Sequence, residues 1–74
     1  MTNLQFLRLE RQIGQPALAK LSGVPQPTIS LIERLRLNPT DDELERLARA
    51  LGVWPPTLLM RQVAPNLSLK EGYA

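Results

Sequence analysis

Apolar residues recur along the chain at intervals of three and four, and strand-like alternation is essentially missing, which predicts an all-α fold. The first segment runs from about Asn3 to Gln12, with Leu4, Leu7 and Arg11 on one stripe and Arg8 beside it. Gly14 is expected to break it. A second helix starts at Gln15-Pro16, because proline is tolerated in a first turn whose N–H groups lack helical partners anyway, and Ser22-Gly23 ends it after two turns. A third covers Gln26 to Arg34, again with proline in its first turn. Ile13/Leu18 and Val24/Ile29 have the spacing of hydrophobic staples across the two helix starts. Thr40-Asp41-Asp42-Glu43 is a capping box that opens a fourth helix, with Leu44, Leu47, Ala48 and Leu51 as its buried stripe and Gly52 as its stop. A fifth, from Trp54 to Arg61, opens through Pro55 and Pro56. The pattern therefore predicts a compact bundle of about five short helices over residues 1–63, followed by a mobile tail over residues 64–74.

Composition narrows the function. A chain of 74 residues makes one small domain, one that buries only about 60% of its unfolded surface, so a deep catalytic cleft is not expected. The absence of Cys and His removes disulfides, structural zinc, thiol nucleophiles and imidazole bases together. The acids cluster at a helix start, where capping explains them, so the sequence predicts no enzyme, metal or cofactor. Neither a basic leader nor a continuous apolar stretch stands at the N-terminus, and an unprocessed cytoplasmic protein without a membrane span is expected. The net charge of +2 identifies no partner by itself. Its distribution says more: residues 1–40 hold five bases against two acids, residues 41–74 four against five, and seven of the nine bases are arginine.

Two short helices joined by a Gly-containing turn, inside a small all-helical domain, describe a helix-turn-helix. Leu7-Arg8, Gln15, Leu18-Ala19, Gly23-Val24, Thr28-Ile29-Ser30, Ile32-Glu33-Arg34, Asn38-Pro39-Thr40 and Leu47-Ala48-Arg49-Ala50-Leu51-Gly52-Val53 resemble the XRE or phage repressor/Cro-like helix-turn-helix family. The resemblance covers about Leu4 to Leu59 and is most specific from Gly23 to Thr40. It implies a lambda-repressor-like domain whose third helix enters the major groove of double-stranded DNA while the second aims its N-terminus at a phosphate.

Carried over position by position, the resemblance assigns base contact to Gln26, Pro27, Thr28 and Leu31, and phosphate contact to Gln15, Ser30, Arg34, Arg36 and Asn38. Gln15 is expected to brace Gln26 as well, and Arg8 and Glu33 to tie the first helix to the third. Pro27 and Leu31 depart from the family, which often has polar or basic residues there. Leu35 stands where the family usually has glycine, so the third helix is expected to run longer or close differently. Leu37 is a further departure, and with Leu31 and Leu35 it forms an apolar ridge suited to a protein. Trp54, Leu58, Leu59, Met60 and Val63 exceed what so small a globule easily covers, and repressor-like domains commonly dimerise there.

The resulting expectation is a homodimeric transcriptional repressor on a palindromic operator. With no length left for a sensor domain, control would come from concentration, proteolysis or a protein partner. An antitoxin-type autoregulator that also binds a toxin, and an interaction module without DNA readout, are the alternatives.

Overall fold

The computed structural model describes residues 1–63. Four helices, α1 (Asn3–Glu10), α2 (Gln15–Ser22), α3 (Gln26–Glu33) and α4 (Asp41–Leu51), precede a 3-10 turn over Pro56–Met60. Among the described residues β pairing is confined to a single antiparallel bridge between Thr2 and Gln62. The tail expected at residues 64–74 lies outside the described residues.

Each helix begins where a donor is either satisfied or missing. Thr2 caps α1 by accepting from the N–H of Gln5 at 3.2 Å, and it is fully buried. Pro16 and Pro27 occupy the first turns of α2 and α3. At α4 both halves of the capping box form: Glu43 N–H donates to Thr40 Oγ1 at 3.1 Å, and Thr40 N–H donates to Glu43 Oε1 at 2.9 Å.

The helix ends depart more from the sequence reading. α1 stops at Glu10, and the reversal is carried by Gln12 (φ 58°), not Gly14. Gln12 and Ile13 donate to the carbonyls of Leu9 and Arg8 at 2.9 and 3.0 Å, which satisfies the last turn, while Gly14 is extended and precedes α2. α3 does not run on past its expected end. It closes by the same two bonds, Leu35 to Ile32 (3.0 Å) and Arg36 to Leu31 (2.9 Å), with Leu35 itself left-handed at φ 61°. Leucine thus occupies the conformation that glycine usually takes, at a cost of about 1–2 kcal/mol. The expected fifth helix is only the five-residue 3-10 turn, which carries Leu59 into the core.

Leu4, Leu18, Val24, Ile29, Ile32, Leu47, Ala48, Leu51 and Leu59 form one buried core, with Ile13 packed against it. On α1 the buried stripe is Leu4 and Arg8, with Leu7 half-buried and Arg11 exposed, so that stripe is rotated from the expected one. The chain's first residues lie along its last described ones: Met1 and Val63 exchange bonds of 2.7 and 3.0 Å, and Asn3 N–H donates to Arg61 O at 2.7 Å.

Candidate nucleic-acid interface

α2 and α3 meet through Gly23-Val24-Pro25. Gly23 (φ 79°) donates to Ala19 O at 2.8 Å and ends α2 in the left-handed region. Ser22 Oγ donates to Leu18 O (2.7 Å) and accepts from Val24 N–H (3.1 Å), so a buried hydroxyl satisfies both sides of the turn. Val24 then drops into the core and Pro25 leads into α3. Arg46 of α4 covers the turn: a Cβ on Gly23 would lie 3.1 Å from its Nη1. Asp42 orients that guanidinium, accepting from Arg46 Nε at 2.8 Å.

The far end of α3 is held by a buried carboxylate. Arg8 donates from Nε to Glu33 Oε2 at 2.7 Å and from Nη2 to Oε1 at 3.0 Å, while its Nη1 reaches Ile13 O at 2.9 Å. The two side chains are 9% and 3% exposed. The geometry is a two-pronged, charge-assisted pair, and such a pair needs its remaining lone pairs satisfied when buried. Gln15 does this, donating from Nε2 to Glu33 Oε1 at 3.0 Å. Its amide therefore braces Glu33, where the sequence reading had it bracing Gln26. One carboxylate thereby joins α1, the start of α2 and the end of α3.

With the inner face of α3 fixed by Ile29, Ile32 and Glu33, its outer edge has Gln26, Pro27 and Leu31 exposed and Thr28 and Ser30 half-buried. Arg34, Arg36 and Asn38 follow on the surface, and the two arginines make no ion pair among the described residues. The base-contact and phosphate-contact candidates therefore lie on one helix and the loop leaving it, with half-buried Gln15 at the start of the neighbouring helix. Among the described residues no cluster of three or more carboxylates is arranged to hold a metal ion, and no helix is long and apolar enough to cross a membrane.

The candidate dimer residues separate. Trp54 is 69% exposed, and Leu58, Met60 and Val63 are half-buried. Leu59 is completely buried in the core, so it leaves the set of residues available to a partner. Sequence reasoning missed Thr2, Ser22 and Arg46. The Thr2-x-x-Gln5 spacing carries a signal for the first, and Ser22 before a Gly stop is weaker. Nothing local marks Arg46, because its role exists only once α4 lies over the turn.

A family model described as Helix-turn-helix matches residues 4–57. No curated protein and no solved structure matches the chain.

Proposed function

The chain belongs to the helix-turn-helix family of XRE and phage-repressor-like DNA-binding proteins, and from that premise we propose that it reads double-stranded DNA by sequence and represses transcription as a homodimer. The observation carrying this reading is the edge of α3, where Gln26, Pro27 and Leu31 stand clear of a buried inner face and two arginines without an ion pair among the described residues follow immediately. In the proposed complex that edge lies in the major groove. The Gln26 amide matches the N6/N7 edge of adenine, Thr28 offers a hydroxyl or methyl group, and Pro27 and Leu31 offer apolar contact to thymine. Arg34, Arg36, Asn38, Ser30 and Gln15 take the phosphates. For Gln15 this means its backbone N–H or the second hydrogen of its Nε2 amide, since the first already serves Glu33.

A two-fold pair through Trp54, Leu58, Met60 and Val63 sets two copies of α3 about one DNA turn apart, ~34 Å, which adds affinity that a single short helix lacks. The expected operator is an inverted repeat with that spacing. A second reading, an antitoxin-type regulator that also holds a protein, is favoured by the exposed leucines that follow the groove edge.

Selection of bound duplexes from a random DNA pool at near-physiological salt tests the proposal, and recovery of no enriched sequence by folded protein overturns it. The single-residue counterpart is a comparison of two variants. Gln26→Ala should lose ~1–3 kcal/mol on the selected site and relax specificity there, whereas Arg36→Ala should weaken all sequences alike and reduce the salt slope by ~0.9. Equal losses on selected and random DNA would remove Gln26 from base reading.

A further inference from the structure

The close of α3 gathers more apolar surface than DNA reading uses. Leu31, Leu35 and Leu37 are 40%, 59% and 39% exposed. The Arg36 N–H to Leu31 carbonyl bond, at 2.9 Å, folds the chain back on the helix's last turn, so the three leucines and the exposed Arg34 and Arg36 arise from one tight reversal. We propose that this reversal is a docking surface for an acidic, leucine-faced protein segment, and that such a segment and DNA occupy it in alternation.

Leu35 carries the first part of the argument. It holds a left-handed backbone that glycine would adopt without strain, yet its side chain is mostly in water and lies outside the core cluster. Neither backbone geometry nor core packing accounts for a leucine there. A ligand for the side chain does.

Charge identifies that ligand. Arg34 and Arg36 alternate with Leu35 and Leu37 and make no ion pair among the described residues, so the complement of this surface has carboxylates beside apolar side chains. The sugar-phosphate backbone supplies anions but offers little to two leucines that leave the groove edge. A helix with one leucine face and acidic flanks supplies both, and arginine beside apolar surface is the composition that protein interfaces favour. Alternation follows because the arginines assigned to phosphates are the same ones that would meet the carboxylates. This half of the proposal rests on the DNA-reading function.

The test uses the full chain and a fluorescent synthetic helix of ~20 residues, long enough to hold helical structure, with leucine on one face and glutamate on the other. Two control helices carry lysine for glutamate or alanine for leucine. The acidic leucine helix should bind at least ~10-fold tighter than either control, by anisotropy, and a random-sequence duplex at low salt should displace it. Leu35→Gly relieves the backbone, so folding is secure, and a raised melting temperature verifies it. This variant should bind the acidic helix ~10-fold more weakly while keeping its DNA affinity within about twofold. Equal binding of the acidic leucine and alanine helices, or an unchanged Leu35→Gly variant, overturns the docking surface. A Leu35→Gly loss on DNA instead assigns the leucine to DNA and overturns it as well. If the helix binds as stated but no duplex does, the DNA-reading function and the alternation fail while the docking surface stands.

Discussion

Gly23 and Gly52 look equivalent in the sequence, each ending a helix, and both are left-handed, at φ 79° and 71°. Their surroundings differ. A Cβ at Gly52 meets nothing within 4 Å, whereas at Gly23 it meets the Arg46 guanidinium at 3.1 Å. Gly52→Ala should therefore cost only the conformational penalty, about 1 kcal/mol. Gly23→Ala should cost up to about 1 kcal/mol more, because the Arg46 guanidinium must shift by a few tenths of an ångström to make room and so strains its exposed pair with Asp42. Urea unfolding of both variants in wild-type and Arg46→Ala backgrounds checks this: the difference between the glycines should vanish once Arg46 is gone. Single residues were the least legible level of this chain. That Leu35 departs from glycine was visible, but whether the helix would avoid the strained conformation or accept it depended on the satisfied carbonyls of Leu31 and Ile32, 4 and 3 positions back. The role of Gln15 was hidden similarly, since its partner Glu33 lies 18 residues away.

Elements were read more faithfully, and for a reason that can be located. α2, α3 and α4 begin and end at residues whose backbone chemistry is local: proline in a first turn, Thr40 with Glu43, glycine at two of the stops. Thr40→Ala should remove one capping bond and release the other, lowering stability by ~1 kcal/mol without altering the proposed DNA-reading edge of α3, as unfolding and DNA titration together would establish. A loss of DNA affinity with the fold unchanged would place that cap at the interface. α1 and the segment after Gly52 were misjudged because their limits come from elsewhere in the molecule. α1 ends where Arg8 turns inward to Glu33 and Gln12 turns the chain. The final segment tightens into a 3-10 turn that carries Leu59 into the core.

At the scale of the whole molecule, the burial of Leu59 changes how self-association should be tested. Deleting everything from Trp54 onwards removes a core residue as well as the proposed contact surface, so loss of a dimer in that fragment would have two explanations. Trp54→Ser is the cleaner variant, because the indole is already 69% exposed. It should leave the melting temperature within a few degrees and convert a dimeric sedimentation mass to a monomeric one. An unchanged mass would leave the homodimer without its central contact. The family and the all-helical plan were legible because they rest on repeated apolar spacing and an ordered series of motif residues. The assembly was not, since an apolar residue near the C-terminal end reads the same whether it faces the core or another molecule.

Joining Met1, Thr2 and Asn3 to Arg61, Gln62 and Val63 has a further consequence, for the order in which the molecule opens. These bonds span about 60 residues of chain yet hold only short extended pieces, while Leu4 and Leu59 beneath them belong to the core. Both ends should therefore detach as one cooperative unit at a free energy below that of global unfolding. In native-state hydrogen exchange, the amides of Asn3 and Val63 should exchange together and ahead of those at the centre of α4. Such a partly opened form would keep the turn between α2 and α3 while uncovering Leu4 and Leu59, so a protease or chaperone would reach those two core leucines through the parted Met1–Asn3 and Arg61–Val63 segments.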